Sequence, residues 1–124
     1  MQMIGQMIAT MFLSREMAHR AHLRVSGTGS FARHMALGEF YPAIIDIADT
    51  ITEAYQGRHS LIEIPYLDAP DDYLDIVNIL QKHLDDIEGI RYVAVDKKDT
   101  AIQNLIDEAV GIYLSALYKL KNLK

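Results

Sequence analysis

The chain has 124 residues, half of them apolar, with no cysteine, no tryptophan and a net charge of −5. That length suits one hydrophobic core, so residues 1–124 read as a single domain. The missing cysteines exclude disulfides and thiolate metal sites, and the acidic balance argues against a nucleic-acid surface, which needs clustered Lys and Arg to meet phosphates.

The first predicted helix covers about residues 2 to 24, beginning almost at Met1, with Ile4, Ile8, Met11, Ala18 and His22 along one stripe. Its opening, MQMIGQMIATMFLS, is apolar but has no basic leader and is shorter than a bilayer span. It reads as a mature helix, neither signal peptide nor anchor. SGTGS breaks the pattern, and Ser30 is the expected N-cap of a second helix that runs to Gly57, a natural C′ residue. RHSLIEIPYLDAP then carries two prolines and no helical period, which predicts a long connection over residues 58–70. A third helix is expected from Asp71 or Asp72, with Tyr73, Val77, Leu80, Leu84 and Ile87 as its seam, closing before Gly89. IRYVAV is rich in β-branched residues, but a lone strand has no partner, so a frayed helix end or an extended loop is expected there. The fourth helix, about 97 to 122, places Ile102, Leu105, Ile106, Ala109, Ile112, Ala116, Leu117 and Leu120 on one face. Four helices joined short, long, short predict an all-α four-helix bundle with a long crossover between the second and third helices.

The chemistry centres on His22, His34, Asp49 and Glu53, spaced H-x11-H-x14-D-x3-E. Imidazoles and carboxylates together suit a borderline or hard cation such as iron or zinc. His34 and Asp49 lie on one helix, and fifteen steps at 1.5 Å separate them by about 22 Å, so they cannot hold one ion within one chain. Asp49 and Glu53 are one turn apart, while His22 and His34 meet if the first helix turns back onto the second through SGTGS. The two half-sites close only when a second copy runs antiparallel, which implies a two-fold dimer with two equivalent sites.

AHLRVSGTGSFARHMALGEFYPAIIDIADTITEAYQG resembles the metal-site region of the Dps proteins, the ferritin-like mini-ferritins that protect bacterial DNA in starvation and oxidative stress. DTAIQNLIDEAVGIYLSALYKL is similar to that family's last helix, and the overall pattern also resembles short ferritin-like proteins of tailed phages. The family's ferroxidase site sits at a dimer interface, with two histidines and an aspartate from one subunit facing an aspartate and a glutamate from the other. His22, His34, Asp49 and Glu53 fall on four of those five positions. Where the family has its first aspartate, one turn after the second histidine, this chain has Gly38 followed by Glu39. A kink or bulge at Pro42 would rotate Glu39 toward the ion as a replacement; alternatively Glu39 faces water and one ligand is lost.

The resemblance implies a ferritin-like fold that binds Fe(II) as a di-iron or mono-iron site and oxidises it with H2O2 or O2. It further implies self-association as a two-fold dimer, extending to a dodecameric shell, and a cytoplasmic setting in a bacterial cell or phage-infected host. DNA binding is not expected, because the family's lysine-rich tail is missing, and no membrane partner is expected. The competing expectation is a structural or binding protein of the same fold with a degenerate site or a structural zinc.

Of the remaining polar residues, Glu16 and His19 form an E-x-x-H pair without a second copy, so His19 is expected at the surface or orienting His22. Asp46 is a further source of charge or a surface residue. His59 and His83 carry no spacing signal and are expected to be solvent-exposed or hydrogen-bonded. There is no phosphate loop after a strand, no G-x-S-x-G and no cysteine nucleophile.

Overall fold

The structure, a computed structural model, describes residues 2–72 and 74–124. Four helices, α1 (Met3–His22), α2 (Ser30–Arg58), α3 (Ile76–Ala94) and α4 (Thr100–Asn122), form an all-α bundle, with no strand among the described residues. α1 packs on α2 and α3, and α4 packs on the same two, so α1 and α4 stand on one diagonal and α2 and α3 on the other. Arg58 pairs with Asp99 and Lys119 with Glu39, which makes α2 and α4 antiparallel. Gln6, Met7 and Thr10 lie beside Asp85, Asp86, Gly89 and Ile90, which makes α1 and α3 antiparallel as well.

That order forces the connection after α2 to travel the length of the bundle. Residues 61–70 run along the outside of α1, and at Gly5 the approach is so close that a Cβ would run into the backbone carbonyl of Glu63. Helix propensity alone favours alanine over glycine by up to about 1 kcal/mol. Overpacking against an unyielding backbone costs about 1–3 kcal/mol and decides the sign. Gly5→Ala is therefore expected to destabilise the bundle by about 1–2 kcal/mol in urea unfolding, and a stabilised variant would show that the crossover does not rest on α1.

Ile4, Ile8, Met11 and Ala18 of the first predicted stripe are buried, as are Leu80, Leu84 and Ile87 of the third and Ile102, Ile106, Ala109, Ala116, Leu117 and Leu120 of the fourth. The boundaries differ from expectation in instructive ways. α3 begins at Ile76, because Asp72 accepts from the Leu74 backbone N–H at 2.9 Å and holds a turn. It continues through Gly89 and IRYVA to Ala94, because Arg91 is buried against α4 and keeps the last turn helical. Tyr73, expected on this seam, and Met1 lie outside the described residues. Gly29, with φ of +81°, is the N-cap of α2 in place of Ser30, and Gly57 lies inside the helix that ends at Arg58. α4 starts at Thr100, where Asp99 accepts from the Ile102 backbone N–H.

Candidate functional site

α2 runs unbroken through Pro42, although proline has no N–H for the Gly38 carbonyl. The α1–α2 turn brings His22 and His34 together as a stacked pair, ring centroids 3.7 Å apart and 18° from parallel. Each ring is tied to the other's backbone. His22 Nδ1 donates to the His34 carbonyl at 2.7 Å, and His34 Nδ1 donates to the His22 carbonyl at 2.9 Å. A carbonyl only accepts, so both Nδ1 atoms carry protons, and the neutral tautomer that these bonds select has its lone pair on Nε2. This is the state in which an imidazole ligates a metal, with its orientation set by a hydrogen bond from the other nitrogen.

Gly38 has a steric part in this arrangement. A Cβ there would stand 3.0 Å from His22 Cε1 and 3.4 Å from its Nδ1, so the bare backbone makes room for the ring. Tyr41 tilts against His22 at 5.5 Å and stacks on His19 at 4.4 Å, with the Arg15 guanidinium 5.9 Å from its ring. Glu16 meets Arg20 and Arg15, and His19 is engaged by Tyr41, so the E-x-x-H pair does not converge on a common point.

Asp49 and Glu53 are exposed one turn apart, and neither makes an ion pair among the described residues. Helical spacing places them on the stripe that carries Gly38 and Ile45. Glu39 sits on the side of α2 that faces α4, where Lys119 Nζ donates to it at 2.5 Å. Asp46 borders the same α2–α4 groove. No three His, Asp or Glu side chains gather into a metal-holding group among the described residues of one chain. The donor set is chemically suited to iron or zinc: two basic nitrogens in one half and two free carboxylates in the other. Leu23 and Phe31, exposed to 67% and 75%, and the exposed Met35 lie beside the histidines in sequence.

The profile of a family of unknown function, DUF5856, matches residues 22–120. The chain belongs to the DUF5856 family. No curated protein and no solved structure matches it. The DUF5856 region begins at His22 and takes in His34, Glu39, Asp49 and Glu53, so every candidate ligand lies inside it.

Several buried polar residues of this DUF5856 chain, Ser14, His83, Arg91 and Gln103 among them, lie outside the candidate site. His83, 7% exposed, meets Ser14 at 2.6 Å, and Ser14 meets Tyr113 at 2.6 Å. Arg91 donates to Gln103 and Asp107 at the far end of α3. The available signal was a polar side chain on an apolar helical stripe: Ser14 between Met11 and Ala18, His83 between Leu80 and Ile87, Arg91 one turn after Ile87. Among the described residues, no helix is long and apolar enough to cross a membrane.

Proposed function

We propose that this chain is a ferritin-like, Dps-type protein whose two-fold dimer takes up Fe(II) between subunits and oxidises it. The observation that carries the reading is the reciprocal His22–His34 pair. Its carbonyl bonds select the tautomer that leaves Nε2 basic, and α2 carries two exposed carboxylates one turn apart with no ion pair among the described residues. The helix packing order, the crossover after α2 and the exposed apolar residues beside the histidines support a bundle that pairs with itself through this face.

The roles follow from charge. The two imidazoles hold the ferrous substrate while remaining neutral. Asp49 and Glu53 of the antiparallel copy bring the negative charge that stabilises the ferric product. Each Fe(II) gives up one electron, and two electrons with two protons convert one H2O2 to two waters. Glu39 is held by Lys119 on the α4 side, so four donors remain, two nitrogens and two carboxylates. That count equally suits a tetrahedral structural zinc, which is the second reading.

Anaerobic Fe(II) titration followed by peroxide, read by absorbance, separates the two. Rapid saturable oxidation is expected in the wild type and its loss in His34→Ala and in Asp49→Ala. Mixing the two variants under exchange should restore roughly one quarter of the wild-type sites, because half of the dimers pair unlike chains and each of those regains one intact site. No recovery on mixing would overturn the interfacial site. Zinc retained without iron oxidation would favour the structural reading.

A further inference from the structure

The proton order in the Tyr113, Ser14 and His83 chain follows from hydrogen-bond satisfaction, since a buried donor needs an acceptor. The Tyr113 hydroxyl is fully buried, and its partner among the described residues is Ser14 Oγ. The phenol therefore donates to Ser14, and Ser14 donates onward to His83 Nδ1, which must present a lone pair. His83 accordingly carries its proton on Nε2, the reverse of His22 and His34. His83 lines a pocket of about 390 Å³ between α1 and α3, roofed by the crossover residues Leu67, Asp68, Ala69 and Pro70.

We propose that this relay is an acid-sensitive latch on the crossover: proton uptake by His83 reverses the relay, and the Leu67–Pro70 segment lifts from the seam between α1 and α3. An imidazolium must donate from Nδ1 to Ser14. Ser14 then turns its own proton toward Tyr113, whose hydroxyl proton is left without an acceptor. The charged ring and the orphaned donor would both be buried, and each is costly. The inner side of His83 is packed helix, so relief comes from the pocket side, where a volume of this size admits several waters at about 30 Å³ each.

The charges around His83 do not cancel this cost. Asp86 and Lys82 face it from α3, Asp68 from the crossover and Tyr113 from α4, while α1 presents no titratable group there. Burial lowers the His83 pKa from 6.5 to about 4, opposed by Asp86 and assisted by Lys82. The latched form thus binds the proton more weakly than the open form. Its full advantage holds above about pH 6.5, erodes as pH falls and is gone near pH 4. From well above pH 6.5 to well below pH 4 the open-to-latched ratio should rise by up to about 300-fold.

The chain has no cysteine, so Tyr66→Cys and Asp85→Cys can carry a spin-label pair across the seam in the full-length protein. One distance population is expected at pH 7.5, and a second, longer one at pH 4.5 with far-ultraviolet helicity unchanged. His83→Gln supplies a carbonyl to accept from Ser14 but does not titrate, so it should keep one population at both pH values. Ser14→Ala breaks the relay and should move the onset toward pH 6. A long-distance population that persists in His83→Gln, an unchanged distance in the wild type down to pH 4, or helicity lost in step with the distance would each overturn the latch. Nitrogen-15 spectra of the wild-type histidines test it without that variant, since a neutral His83 protonated on Nδ1 contradicts the relay.

Discussion

Tyr113→Ala is expected to lower the unfolding free energy by about 4 kcal/mol, as large aromatic truncations in cores do. Tyr113 is fully buried on α4, Phe40 of α2 packs edge-on against it at 5.1 Å, and its hydroxyl reaches Ser14 on α1 across the diagonal. Through Ser14 it also touches His83 of α3, so one side chain joins all four helices at mid-height. Burial raises the pKa of its phenol, so the group stays neutral through the ordinary pH range and acts as a donor. Tyr113→Phe keeps the ring and removes only the donor, leaving Ser14 Oγ with an unfilled lone pair, and should cost about 1 kcal/mol. Chemical denaturation of both variants separates the terms: a loss in Tyr113→Phe as large as in Tyr113→Ala would mean that the hydrogen bond, rather than the ring, holds the layer together.

The four helices and the long crossover were legible because their apolar residues recur at helical spacing over several turns, a pattern that tertiary contacts then reinforce. Helix ends were less so. α3 starts about one turn late because the Asp72 turn, a local contact that the apolar pattern does not register, precedes it, and it runs nearly two turns further because Arg91 reaches α4, a contact that is not local in sequence. The His22–His34 encounter followed from the spacing across SGTGS. The reciprocal carbonyl bonds that set the tautomers did not, since they depend on the angle at which α1 meets α2. Gly38 illustrates the limit: in the sequence it marks an absent ligand, and in the fold it makes space for a ring. Glu39 was placed by a cation eighty residues away, a contact that no local pattern encodes.

Arg91 gives the second large effect, and the quantity to measure is the coupling. Its Nε donates to Gln103 Oε1 at 3.0 Å, and its Nη2 donates to the Gln103 carbonyl at 2.9 Å and to Asp107 Oδ1 at 2.7 Å. Gln103, 5% exposed, returns its amide protons to the carbonyls of Arg91 and Val95, closing the α3–α4 turn. Arg91→Met fills most of the volume but strands Gln103 Oε1 away from water and removes charge-assisted bonds, an expected loss of about 3 kcal/mol. Asp107 is the formal ion partner, yet its side chain is 62% exposed and already solvated, so Asp107→Ala should cost less than about 1 kcal/mol. Gln103→Leu leaves a buried guanidinium short of an acceptor and should cost about as much as Arg91→Met. The double variant replaces both partners with apolar groups, so its loss should fall short of the sum of the single losses by at least about 1 kcal/mol. Additive losses would mean that the two side chains stabilise the turn independently, by packing rather than by the network they share.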